Sequence, residues 1–149
     1  MYEKAIELED GVYRNWSFMA DAYHWAGQPA QARAAWQRVI ELAEAHLALN
    51  PQDARALGNL AEVYAKIGGR EQEARAMIER LLDLKQIDND NLATIARTYE
   101  QLGERERALQ YLERALENGL TLVAIERSPW LKALRDDPGY KEIKKITTR

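Results

Sequence analysis

The chain has 149 residues and a net charge of −3, and this length is typical of a single domain with a sizeable core. The charge gives no basic surface of the kind that nucleic acid requires, and the absence of cysteine excludes disulfides and cysteine-based metal sites. No apolar run reaches the ~18 residues of a membrane span, and the charged N-terminus lacks the apolar stretch of a signal peptide. We therefore expect a cytoplasmic protein with neither a nucleic-acid nor a membrane partner.

The first predicted element is a helix over residues 2–10. Its apolar side chains recur at helical spacing in Tyr2-x-x-Ala5-Ile6-x-Leu8. A stripe of this kind covers one face of a short helix.

Three copies of one pattern come after this helix. Each copy has two apolar residues three apart, then an Ala, a Tyr three residues later and a Gly four residues after the Tyr. The copies are Trp16-x-x-Met19-Ala20-x-x-Tyr23, Leu57-x-x-Leu60-Ala61-x-x-Tyr64 and Leu92-x-x-Ile95-Ala96-x-x-Tyr99, with Gly27, Gly68 and Gly103 behind them. Each copy predicts a helix whose Ala permits the close approach of a second helix, and whose Gly supplies a left-handed cap.

A second helix is predicted after each Gly, with small residues at Ala32, Ala74 and Ala108. The first unit is longer than the next, since the spacing is 41 residues from Ala20 to Ala61 but 35 from Ala61 to Ala96. The additional residues continue at helical period, so its second helix should run about two turns longer than usual. It should end near Asn50-Pro51, because the residue before a proline disfavours helix.

The C-terminal region predicts short helices rather than another hairpin. One covers residues 121–127, and two further starts are expected at Ser128-Pro129 and Asp137-Pro138, with Ser128 as an N-cap. These helices should cover the apolar side of the last hairpin, as the terminal caps of repeat proteins do.

The recurring pattern resembles the tetratricopeptide repeat (TPR). The resemblance implies an all-α fold, a right-handed α-solenoid of helix-turn-helix repeats with a C-terminal helical cap, in one domain over residues 1–149. Its parts would be the second helix of a truncated repeat (2–10), a repeat with an extended second helix (13–50), two further repeats (53–86 and 89–118) and capping helices (121–147).

The sequence offers no recognisable catalytic or metal site. The two histidines, His24 and His46, have no second ligand at metal-binding spacing, and no nucleophile lies in a known motif. Acidic and basic residues alternate at helical spacing, which is typical of a solvated helix surface. We therefore predict a non-catalytic protein with no cofactor and no metal.

The TPR resemblance implies that the first helix of each repeat binds a partner on the concave side of the array. The implied positions are Arg14, Ser17, Asp21, His24, Trp25, Arg55, Gly58, Glu62, Lys66, Ala93, Arg97, Glu100 and Gln101. Their mixed charges favour a polar peptide or protein segment with residues of both signs. Gly58 and Ala93 would leave room for it in the middle of the groove. Trp25 has two interpretations: an aromatic anchor for the partner, or packing against the lengthened second helix.

One well-known TPR mode, the clamp for the C-terminal carboxylate of a chaperone, does not fit. The corresponding positions hold Ser17, Asp21, Glu62, Ala93 and Arg97, and only Arg97 agrees with the clamp motif. The identity of the protein partner therefore stays open.

Two roles are compatible with the pattern. In the first, the chain is an interaction module of a larger protein, since it is similar to C-terminal TPR regions of bacterial signalling proteins such as Ser/Thr kinases and adenylate cyclases. In the second, it is an oligomerisation or scaffold module. The exposed edge of the truncated N-terminal repeat would then pair with a second copy to form a homodimer.

Overall fold

The computed structural model describes residues 13–145, which hold nine α-helices and one 3-10 turn and no strand. The helices are α1 (Tyr13–Trp25), α2 (Pro29–Leu49), α3 (Ala54–Ile67), α4 (Glu71–Leu82), α5 (Asn89–Gln101), α6 (Arg105–Glu117), α7 (Leu122–Glu126), α8 (Lys132–Arg135) and α9 (Pro138–Lys144), and the 3-10 turn spans Pro129–Leu131. The predicted helix over residues 2–10 lies outside the described residues. The chain divides into two compact units, of which the first ends at Leu81 and the second begins at Leu82.

Glycine ends two of the first helices in the predicted way. Gly27 and Gly103 have φ angles of 76° and 77°, a left-handed conformation that strains other residues. The residue after each Gly donates its N–H to a carbonyl five positions back, from Gln28 to Tyr23 and from Glu104 to Tyr99, both at 2.9 Å. These bonds satisfy carbonyls that the helix end would otherwise leave open, and they turn the chain into its second helix.

In the first unit, α1 packs on α2, and α2 packs on α3. Ala20 and Ala32 are fully buried where the first two helices meet. The stripe of α3, including Leu57, Leu60 and Tyr64, is buried as well. Each large apolar side chain removed from water in this way contributes about 1.5–3 kcal/mol.

The second helix of the first hairpin is much longer than its counterparts. α2 has 21 residues and ends at Leu49, whereas α4 has 12 and α6 has 13. The final turns of α2 bond to the α3 region: the Tyr64 hydroxyl donates to Glu44, and His46 Nε2 lies 2.7 Å from Asp53 Oδ2. Asp53 is also the N-cap of α3, because its Oδ1 accepts the Ala56 N–H at 3.1 Å.

In the second unit, α5 packs on α6, and the C-terminal elements close over this hairpin. The 3-10 turn contacts α5 and α9 contacts α6, with Leu131, Leu134 and Tyr140 buried. α9 approaches so closely that a Cβ on Gly139 would lie 2.7 Å from Leu109 Cδ1.

The two predicted starts in this C-terminal region differ in outcome. Asp137 caps α9 by accepting the Gly139 N–H at 2.7 Å. Ser128 also occupies the predicted N-cap position with Pro129 behind it, but the element it begins is a 3-10 turn and its side chain makes no capping hydrogen bond. A single 3-10 turn beginning with Pro129 offers few open N–H groups for a capping side chain.

Candidate functional site

The first helices of the two repeats in the first unit lie side by side. Ser17 Oγ donates to Asn59 Oδ1 at 3.0 Å, and Lys66 Nζ lies 3.1 Å from Asp21 Oδ2. These pairs are separated by 42 and 45 residues, so α1 and α3 run in the same direction at nearly constant register. The predicted positions on the two helices therefore share one surface, which we name the α1/α3 face.

Three charged residues predicted to meet a partner instead meet one another. Lys66 Nζ lies 3.1 Å from Asp21 and 3.4 Å from Glu62 Oε2, and the Lys66 side chain is only 7% exposed. Trp36 Nε1, on α2, donates to Asp21 Oδ1 at 3.3 Å. This Lys66 cluster ties α1 to α3, and its lysine is not available to a partner.

The C-terminal end of α1 carries aromatic side chains. Trp25 is 53% exposed. The Trp25 and His24 rings are nearly perpendicular at a centroid distance of 4.8 Å, and the His24 ring in turn lies 5.6 Å from the Trp36 ring. Trp25 therefore presents about half of its large surface to solvent at one end of the α1/α3 face.

At the opposite end, Arg14 and Arg55 are exposed in the first turns of α1 and α3. Burial and the Asp53 carboxylate raise the pKa of Tyr13, and the charges of Arg14 and Arg55 act on it in the opposite direction. Gly58, between the two ends, is buried.

The predicted positions on α5 are occupied within the second unit. Arg97 Nη2 donates to Thr94 Oγ1 at 2.9 Å, and Gln101 Nε2 donates to the Trp130 carbonyl at 3.4 Å. Glu100 accepts from Arg105 Nε at 2.7 Å, and Ala93 is buried. The structure thus brings the α1 and α3 residues together as a surface but commits the α5 residues to local bonds.

Sequence reasoning missed Phe18, which is 56% exposed on α1. It is the single Phe of the chain, and it stands in the pattern where the other two copies have Asn59 and Thr94. A large apolar residue at a position that is polar elsewhere was the signal that could have identified it.

Among residues 13–145, no group of three or more His, Cys, Asp or Glu side chains could hold a metal ion. No helix in this range combines the length and the apolar character needed to cross a membrane.

Hairpins with buried alanines at the helix crossing and glycine at the turn define a helical-repeat protein. The family model described as tetratricopeptide repeat matches residues 12–87, and a second model of the same description matches residues 90–118. The chain belongs to the tetratricopeptide-repeat family, which confirms the predicted fold class. Repeats of this family are generally protein-interaction modules and are typically non-catalytic. A search of the curated proteins found no match to the chain.

Proposed function

We propose that the chain is a non-catalytic interaction module that binds a segment of another protein on the α1/α3 face. The observation that carries the proposal is Trp25, 53% exposed beside a surface fixed by the Lys66 cluster. Trp is enriched among the residues that dominate binding energy, and a rigid surface loses little entropy when a partner binds. α5 is the corresponding helix of the second unit, but its Arg97 and Gln101 side chains are engaged in local bonds.

Capture of a partner tests this proposal. The full chain would be immobilised and exposed to lysate, beside Trp25→Ala and the control Val123→Ala, which removes an exposed apolar side chain from the second unit. We expect Trp25→Ala to reduce capture by about tenfold or more, the effect of a binding hot spot, and Val123→Ala to leave it unchanged. Equal capture by all three chains, with unchanged circular dichroism, would exclude the α1/α3 face.

Self-association is the second candidate, and the exposed Phe18 on α1 favours it. The edge predicted to mediate it, on the truncated N-terminal repeat (2–10), lies outside the described residues. Sedimentation equilibrium would decide: a dimer that dissociates in Phe18→Asp supports the idea, and a monomer at high micromolar concentration contradicts it. The cytoplasmic location and the attachment to a bacterial signalling domain stay predictions.

A further inference from the structure

We infer that the segment bound on the α1/α3 face lies in one orientation, with an acidic residue at Arg14 and Arg55 and an apolar side chain at Trp25. The inference rests on the proposed function and adds the chemistry and direction of the partner, an extended peptide segment. Three properties of the face carry it: a basic end, a centre closed by internal bonds, and an acidic and aromatic far end.

The basic end is formed where α1 and α3 begin. Because the two helices run parallel at nearly constant register, Arg14 and Arg55 lie at the same end of the face. Neither first turn contains an acidic residue, and the positive ends of the two helix dipoles add to the arginines. The nearby Asp53 carboxylate is hydrogen-bonded to His46 at 2.7 Å and to the Ala56 N–H at 3.1 Å, and its single negative charge offsets only one of the two arginine charges. A carboxylate of the partner therefore finds two guanidinium groups here, each with several N–H donors.

The far end has the opposite charge. The Lys66 cluster sets one lysine against two carboxylates, Asp21 and Glu62, and so carries a net negative charge. Trp25 lies on the last turn of α1 beside it. An acidic side chain is repelled from this end, whereas an apolar or aromatic side chain can cover the Trp25 ring. Between the ends, Ser17 and Asn59 bond to each other.

The length of the face sets the spacing within the partner. From Arg14 to Trp25 the helix rises about 16 Å, at 1.5 Å per residue. An extended chain covers this in about five residues, at about 3.3 Å each. The partner should therefore present its acidic residue and its apolar residue about five positions apart. Neither arginine occupies a position of the chaperone carboxylate clamp, so this is a different mode of acid recognition.

Two synthetic peptides test the orientation. The acidic probe is fluorescein-labelled Asp-Asp-Ala-Ser-Ala-Leu-Phe, and the basic probe has Lys-Lys in place of Asp-Asp. Each is titrated by fluorescence anisotropy against the full chain, the double variant Arg14→Glu/Arg55→Glu and Trp25→Ala. A control, Arg127→Glu/Lys132→Glu, makes the same change in net charge at exposed positions of the second unit.

The native chain and the control should prefer the acidic probe by about tenfold, the effect of one or two partly solvated ion pairs. Arg14→Glu/Arg55→Glu should reverse the preference for the acidic probe. Trp25→Ala should weaken the binding of both probes to the same extent. The inference is overturned if the native chain binds both probes equally, if the reversal also occurs in the control, or if neither probe binds at millimolar concentration. If partner capture depends on Trp25 but the two probes bind equally, the proposed function stands and the proposed orientation is wrong.

Discussion

Equivalent positions of the repeat serve different purposes in the two units. In the first unit, polar side chains of α1 bond to α3, so that one repeat is tied to the next through Ser17 and Asp21. In the second unit, side chains of α5 bond to α6 and to the C-terminal elements, as Glu100 does with Arg105 and Gln101 with the Trp130 carbonyl. A site assigned from repeat position alone therefore includes residues that the protein uses to hold itself together. The surface that is available to a partner can be identified only once the internal hydrogen bonds and ion pairs are known.

The largest loss of stability on substitution is expected at Lys66, and it would test the bonds that tie α1 to α3. Lys66→Met leaves Asp21 and Glu62 half-buried without their cation, which should cost about 2 kcal/mol, below the value for a fully buried pair because Asp21 is partly exposed. At roughly 2–4 °C per kcal/mol, the melting temperature should fall by several degrees. Lys85→Met, at an exposed lysine, is the matched control. Melting of both variants at the same temperature would show that the Lys66 cluster does not hold α1 to α3.

A smaller effect is expected at Arg105, the cation of the second unit. It contacts Glu100 at 2.7 Å and Asp137 at 3.1 Å, but its side chain is 35% exposed, so Arg105→Met should cost about 1 kcal/mol. Because Asp137 is the N-cap of α9, hydrogen exchange should quicken most in residues 138–144. Arg107→Met, at a more exposed arginine, should leave that exchange unchanged. Equal exchange in both variants would contradict the link from α6 to α9.

Asp53 makes the stability of the first unit depend on pH. Burial opposes the shift, but hydrogen bonds from His46 and the Ala56 N–H lower the pKa of Asp53 below its usual value. A carboxyl group whose folded pKa is depressed stabilises the fold at pH values above its unfolded pKa of about 3.9, and this stability is lost as the pH falls through the folded pKa.

The free energy of unfolding of the native chain should therefore fall more steeply from about pH 5 to about pH 3 than that of Asp53→Asn. At neutral pH the variant should lose less than about 1 kcal/mol, because Asn is also a good N-cap. Asp83→Asn, at an exposed position, should retain the native slope. Parallel curves for the native chain and Asp53→Asn in urea titrations would contradict the assignment.

The smallest effect on the free energy of unfolding is expected at Tyr140, for which Tyr64 of the first unit is the comparison. The Tyr140 hydroxyl is buried and has no hydrogen-bond partner among the described residues, whereas the Tyr64 hydroxyl donates to Glu44. Tyr140→Phe should leave the free energy of unfolding unchanged or raise it, because it removes a buried polar group that lacks a partner. Tyr64→Phe should lower it by about 1 kcal/mol. A larger loss at Tyr140 than at Tyr64 would reverse this assignment.

The fold was more predictable from the sequence than the site. Helices and turns arise from apolar period and from glycine, which are local signals, so the pattern around Ala20 and Ala61 located the helices and Gly27 and Gly103 marked their ends. The bonds that decide the site join residues far apart in the chain: Lys66 and Asp21 are separated by 45 residues, and Arg105 and Asp137 by 32. Helical spacing specifies a face but not which charges on neighbouring helices meet, and this pairing depends on how the hairpins pack.

The length of α2 bears on how the first unit folds. Its final turns bond through Glu44 and His46 to Tyr64 and Asp53, so a large part of this helix is stabilised by the next hairpin. In a nearest-neighbour description of repeat proteins, these contacts belong to the coupling between repeats rather than to the intrinsic stability of one repeat. The α1–α2 hairpin should then have little stability by itself, and unfolding of the first unit should be cooperative from α1 through α3.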